Sequence, residues 1–320
     1  MVSTEHPKAT REVERDDSLR VRRFGTDQSD DANGAVVATD GGGPVEERPP
    51  AVAGQFYAGD EETLRDQLAD CFAHEDGPGP VPDAAPVEHP RVVVAPHAGY
   101  PSSGPIAAHA YAAFAADQPD TVVVLGPNHE GGGAPAAVAA HDRWRTPLGT
   151  IPVDTGFAAA LVGSGVTFDA RSHAGEHSIE VHLPFLQHCC ADVRVVPVCL
   201  TQLGRERAME LGRTVATAVD ASERDVAVVV STDLTHDESH ATAVEADEPV
   251  VDAIAALDPN AVADAVADGH TMCGPWATLA GIVAARELGV TTGTRLQYAT
   301  SGETDGRQDS VVGYAAVALG

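Results

Sequence analysis

Four short apolar runs rich in β-branched residues, Arg91–Ala95, Thr121–Leu125, Arg194–Cys199 and Asp225–Val230, punctuate the chain. Near-continuous Val in runs this short predicts strands buried on both faces, as in a parallel sheet. Between and beyond them, stretches over about 103–116, 176–189, 205–220, 239–256, 259–268 and 274–288 predict helices, and about 294–300 and 310–318 predict closing strands. A further helix is expected over about 61–73, followed by a Pro/Gly-rich loop through Pro90. Strands alternating with helices predict an α/β fold, a single layered domain whose central, mostly parallel sheet is flanked by helices.

Residues 1–47 break this pattern. They mix acids, arginines, Ser, Thr and Gly, and end in Gly41-Gly42-Gly43-Pro44. They are expected to be a disordered acidic N-terminal tail or the product of a start assigned too early, with the ordered domain over 48–320.

Composition narrows the picture. Hydrophobic residues are 43% of the 320 and aromatics only 4%, so the core must be built mainly from Ala, Val and Leu. The formal net charge is −28, and Lys8 is the sole lysine. Such a chain is repelled by nucleic acid and by anionic membrane, so neither is expected as a partner. The acids are spread along the whole chain, which favours a solvated acidic coat of the halophilic kind over one acidic docking face. Cys71, Cys189, Cys190, Cys199 and Cys273 are odd in number and show no CxxC spacing, so a disulfide framework is not expected. With no signal-peptide pattern and no membrane-length apolar run, the expected location is cytoplasmic.

Candidate chemistry lies where strands end, since sites in open α/β sheets form beyond the carboxyl ends of strands. His97 follows the first Val run, His129 the second and His236 the last. Histidines in equivalent positions can converge, which fits either a metal site or acid–base catalysis. Cys273 precedes a predicted helix, a position that lowers a thiol's pKa and favours the thiolate. Cys189, Cys190 and Cys199 read instead as small buried hydrophobes. His177 and Glu180 are three positions apart and would share a helix face, and Asp233 and His236 have the same spacing, suited to a base and the group that orients it. The remaining histidines, His173 and His141 among them, read as surface or structural.

The ordered set Pro50–Tyr57, Pro96–Tyr100, Gly126–His129, Glu176–Leu186, Ser231–His236, Cys273-Gly274 and Asp309–Tyr314 resembles the Memo family. The resemblance implies a fold similar to class III, LigB-type extradiol dioxygenases. It implies a metal bound by His97, His129 and Cys273, and His236 with Asp233 at the position of the dioxygenase base. Glu176, His177, Glu180 and His182 would stand behind the ligands and orient them. Family members accompany radical-SAM and AMMECR-type proteins, which are the implied partners beside an unknown small molecule. The wording departs from the family at Pro101–Gly104, Asp237 and Pro275-Trp276, which bears on the pocket wall and not on the ligands.

One divalent or redox-active metal ion is therefore expected, Fe(II) first, with Cu and Zn as alternatives. The leading functional expectation is a metal-dependent oxidoreductase. A dioxygenase carries a carboxylate where a thiolate is implied here, and thiolate favours softer ions. The second expectation is a non-catalytic metal- or ligand-binding protein acting through partners. The third is a hydrolase using Cys273 as nucleophile with His236.

Overall fold

Val92 and Val94 belong to one apolar core and Val93 and Ala95 to another, and the same alternation holds for Val123 and Leu125 against Val122 and Val124. A strand whose successive side chains enter two cores must have cover on both faces. The computed structural model describes residues 46–320 except 80–86, 88, 116, 164 and 307. The expectation for residues 1–47 thus lies outside the described residues up to position 45.

In chain order the elements are β1 (Glu47–Arg48), α1 (Glu61–Ala73), β2 (Val92–Ala95), α2 (Tyr100–Phe114), β3 (Thr121–Pro127), β4 (Ala136–Val138), β5 (Arg143–Thr146) and β6 (Gly149–Pro152). Next come α3 (Thr155–Leu161), β7 (Thr167–Phe168), α4 (Leu183–Cys189), β8 (Arg194–Leu200), α5 (Arg205–Asp220), β9 (Val226–Ser231) and β10 (His236–Glu238). The chain closes with α6 (His240–Ala255), α7 (Pro259–Ala267), α8 (Pro275–Glu287), β11 (Gly293–Thr300), α9 (Ser301–Thr304) and β12 (Val311–Leu319).

The four predicted Val runs pair side by side and parallel, in the order β2-β9-β3-β8. Beyond these four strands the pairing in this sheet is mostly antiparallel, the parallel β4–β7 pair excepted. β12 runs antiparallel to β2, β10 and β11 pair antiparallel with β12, and β4 is antiparallel to β8. The sheet is therefore mixed, with a parallel centre and largely antiparallel flanks. Residues of α1, α2 and α4 share the core on one face, and residues of α3 and α5–α8 share the core on the other. Each fully buried Val contributes roughly 1.5–3 kcal/mol relative to exposure, so many small side chains supply what few aromatics would otherwise provide.

Helix starts follow local chemistry. Asp60 caps α1 by accepting from the Thr63 N–H, and Ser239 caps α6 through Thr242. Two expectations change. Helix 176–189 is an α-helix only from Leu183, after a 3-10 turn at Glu180–His182, so Glu176–Ile179 is a loop. And the stretch 136–168, where no element was expected, holds β4–β7 and α3. Strands of two to four residues are too short to show alternation.

A small second sheet, β1-β5-β6, sits apart from the large one in pairing. Its first strand is Glu47–Arg48, which pairs parallel with β5.

Candidate metal centre

The parallel centre places the ends of β2, β3 and β9 side by side, and the expected side chains follow. Ala95 of β2 pairs with Ser231 of β9. Two residues beyond each, the backbone N–H of His97 donates to Asp233 Oδ1 at 2.8 Å. This ties two loops whose residues are 136 positions apart.

Cys273 arrives from the start of α8. Its N–H donates to the Asp233 carbonyl at 3.1 Å, and the Gly274 N–H to Thr232 Oγ1 at 3.0 Å. A Cβ at Gly274 would run into the Ser231 carbonyl and lie 3.0 Å from Thr232 Cβ. Glycine here lets the start of α8 approach the end of β9. Gly126 does the same for the loop 176–179: a Cβ there would be 2.7 Å from Ile179 Cγ1 and from Ser178 Oγ.

Ligand atoms of His97, His129 and His177 lie within 4.8 Å of one another, and so do those of His97, Asp233 and Cys273. His97 is common to both groups. His129 and Cys273, expected as partners on one ion, fall one in each group. His177, expected behind the ligands, stands among them: its ring stacks on His129 at 4.6 Å and meets His97 edge-on at 5.6 Å.

Glu176 organises the imidazoles. Its Oε1 is 2.9 Å from His129 Nδ1 and 3.3 Å from His177 Nδ1, and it accepts from the N–H groups of His177 and Ser178 at 2.8 Å each. Oε2 accepts from the His129 N–H. Burial opposes the carboxylate, but these hydrogen bonds and the two imidazoles hold it down at about 2. A permanently ionised Glu176 in turn raises His129, outweighing that side chain's burial.

His97 is the most enclosed member, 1% exposed. Its Nδ1 is 2.6 Å from Ser231 Oγ, and its Nε2 has no hydrogen-bond partner among the described residues. Burial and the neighbouring imidazoles push it well below the usual histidine range, so it is a neutral lone-pair donor. Burial raises Asp233 to about 6. His182 stands behind the site, with Nε2 2.8 Å from Ser231 Oγ and Nδ1 2.6 Å from the Tyr111 hydroxyl. Burial takes it down to about 3.

Two expectations are corrected. Glu180 does not join the cluster. Its carboxylate is 2.5 Å from Arg48 Nη1 and accepts from the Ala51 and Val52 N–H groups and the Tyr57 hydroxyl. Without a continuous helix, His177 and Glu180 do not share a face. Cys273 is also not activated as a thiol. Burial first, then the Asp233 carboxylate, push it up to about 12, overriding its place before α8. That arrangement disfavours the free thiolate a hydrolase would need.

Ser231, Ser178, Tyr111 and Arg48 were not singled out as site residues. Ser231 lies within the Ser-Thr-Asp run after the last Val strand, which is a local signal. Ser178 adjoins His177 within the Glu176–Leu186 motif, also a local signal, whereas Tyr111 and Arg48 reach the site only through tertiary contacts.

The donors fit a metal ion: a buried imidazole nitrogen lacking a hydrogen bond, two further imidazoles, a carboxylate and a thiol, converging from five loops. Beside them opens a cleft of about 650 Å³, lined in part by Asn128, His129, Gln202, Met272, Cys273 and Trp276. Among the described residues no helix is long and apolar enough to cross a membrane.

Comparison with known proteins agrees with the resemblance. The family model described as Memo-like protein matches residues 48–318. A MEMO1 family protein of Methanopyrus kandleri is 46% identical over 278 residues, covering 85% of this chain and 98% of the relative. One from Methanothermobacter thermautotrophicus is 42% identical over 272 residues (84% and 98%), and one from Methanosarcina mazei 39% over 277 (85% and 99%). Nearly the whole length of each relative is matched and the family model spans the described domain, so the chain belongs to the Memo family.

Proposed function

We propose that the chain is a metal-dependent oxidoreductase that holds one divalent or redox-active ion, Fe(II) first, and acts on a small molecule bound in the adjoining cleft. The observation that carries this reading is the buried Nε2 of His97, which makes no hydrogen bond among the described residues, has the Asp233 carboxylate 4.0 Å away, and belongs to a side chain shared by both groups of potential ligands. A buried polar nitrogen left alone costs about 1–3 kcal/mol, a cost a bound cation removes.

His97, His129 and Cys273 are the proposed ligands, with His177 and Asp233 close enough to exchange with them. Two imidazoles and a thiolate also suit Cu or Zn. A bound redox-active ion would supply electron transfer and polarise a substrate oxygen. The protein's own residues do the rest. Glu176 orients His129 and keeps its Nδ1 engaged, leaving Nε2 for the site. Asp233 adds negative charge beside a cation and ties the His97 loop in place. His236, with Nε2 3.5 Å from Cys273 Sγ, is placed to take or give a proton at the mouth of the site. Trp276 and Met272 offer apolar contact to a substrate, and Asn128 and Gln202 offer neutral hydrogen bonds.

The test is metal analysis of anaerobically purified protein against His97→Ala, His129→Ala and Cys273→Ser, followed by oxygen uptake of the iron-loaded protein with small phenolic substrates. Loss of metal in all three variants supports the site. Unchanged metal content in them overturns it. No oxygen uptake, with tight binding to a radical-SAM or AMMECR-type protein instead, replaces the oxidoreductase reading with that of a partner protein.

A further inference from the structure

Ser231 Oγ touches three polar groups at once. It is 2.6 Å from the Ser178 carbonyl oxygen, 2.6 Å from His97 Nδ1 and 2.8 Å from His182 Nε2. The residue is fully buried, so water does not stand in for any of these partners.

A serine hydroxyl has one proton to give and two lone pairs. The Ser178 carbonyl can only accept, so it takes that proton. The other two contacts must then be made by N–H donors, His97 Nδ1–H and His182 Nε2–H. A neutral imidazole protonated on one nitrogen presents a lone pair on the other. His182 Nδ1 is therefore an acceptor, and its remaining neighbour, the Tyr111 hydroxyl at 2.6 Å, is a donor. His97 Nε2 is left with a lone pair, and it is the atom without a partner that faces the other ligand atoms. One assignment satisfies every group from Tyr111 to His97. Moving the His97 proton to Nε2 would set the Nδ1 lone pair against an oxygen whose only proton is already given to Ser178.

We propose that Ser231 is a positioning residue that fixes the tautomer of His97, so that a lone pair and not an N–H faces the ligand cluster, and that His182, held by Tyr111, occupies the second lone pair of Ser231. The inference rests on reading His97 as a ligand, but the tautomer itself exists without metal. It assigns a shared purpose to three residues on three elements: Tyr111 of α2, His182 of the turn before α4, and Ser231 at the end of β9. None of the three is within the two groups of potential ligands.

The test uses metal-free protein labelled with 15N-histidine, in which long-range 1H–15N correlations report which ring nitrogen carries the proton. Wild type should show His97 protonated on Nδ1 and His182 on Nε2. Ser231→Ala should populate both tautomers of His97 and weaken Zn(II) binding by about 10–100-fold, the usual effect of losing a group that orients a ligand. Ser231→Thr, which keeps the hydroxyl, should restore both readouts. Tyr111→Phe, which removes only the distant donor, should leave the His97 tautomer as it is. A His97 proton on Nε2 in wild type overturns the proposal, and so does a Ser231→Ala protein with His97 wholly on Nδ1 and undiminished Zn(II) binding. The wild-type spectrum decides even where Ser231→Ala does not fold. A His97→Ala variant that retains its metal would instead sink the ligand assignment while leaving the tautomer result standing.

Discussion

Cys273 Sγ stands 3.5 Å from Nε2 of His236, and the other ring nitrogen of that histidine is 2.7 Å from the Leu234 carbonyl. A carbonyl only accepts, so Nδ1 carries a proton directed at Leu234, and Nε2 is the ring nitrogen that faces the thiol. Burial and the Asp233 carboxylate keep Cys273 a neutral thiol in the metal-free protein.

Alkylation follows from that. With Cys273 pushed up to about 12, only about one thiol in ten thousand is ionised at pH 8. Iodoacetamide labelling of Cys273 in metal-free protein should be slow at pH 8 and rise roughly tenfold per pH unit above it. Mass-spectrometric mapping after timed labelling reads this. Fast labelling at pH 7 would show an activated thiolate and revive the hydrolase alternative.

Arg48 and Glu180 form a buried ion pair at 2.5 Å, and the Arg48 guanidinium lies 4.0 Å over the Trp144 ring. Arg48 also donates to the carbonyls of His173 and Glu176, so the pair holds the loop that carries the imidazole organiser. Removing one charge leaves the other buried and alone. Glu180→Gln and Arg48→Met should each cost about 3–5 kcal/mol in urea unfolding. A loss below 1 kcal/mol in both would mean the clamp is not what anchors the loop.

Stability should fall on mild acidification. Burial depresses His173 and His182 to about 3, below the value of 6.5 for the free side chain. Between pH 6.5 and 3 the unfolded chain therefore binds protons that the folded one refuses. Their contribution is fully present above pH 6.5 and is lost as pH falls toward 3, at about 1.4 kcal/mol per histidine per pH unit. Glu176, held at about 2 from 4.5, adds to the loss below pH 4.5. Urea midpoints at pH 7.5, 6.0 and 5.0 should decline in that order; a flat series contradicts the neutral buried histidines.

Gly274→Ala should displace the start of α8, because the added Cβ meets the Ser231 carbonyl and not a flexible side chain. Overpacking of this kind costs about 1–3 kcal/mol. The expected signature is metal content reduced out of proportion to the drop in thermal midpoint, since Cys273 is the adjoining residue. Full metal occupancy in the variant would show that the close approach does not position the thiol.

Salt should stabilise the fold. With a net charge of −28, self-repulsion is screened as the Debye length shrinks from about 10 Å at 0.1 M to about 3 Å at 1 M. A thermal midpoint that rises between 0.1 and 1 M KCl supports the acidic coat, and one that falls opposes it.

Much of this was legible along the chain. Val runs buried on both faces identified β2, β3, β8 and β9, because a strand with two covered faces has no polar positions to hide its signal. The position of His97, His129 and His236 just past strand ends was equally local, and the family wording added Cys273. Other features needed the folded chain. Whether β12 runs parallel or antiparallel to β2 depends on the path of the connection. That Glu180 turns to Arg48, 132 positions away, while Glu176 turns to His129, depends on a helix that starts at Leu183 and not before. The same is true of the thiol at Cys273, where burial outweighs the helix start, and of Ser231, whose three partners come from the His97 loop and the distant stretch of Ser178 and His182. Local pattern reports burial and chain direction, which are properties of neighbours in sequence. Proton placement and charge pairing are set by groups that meet only when the sheet has formed.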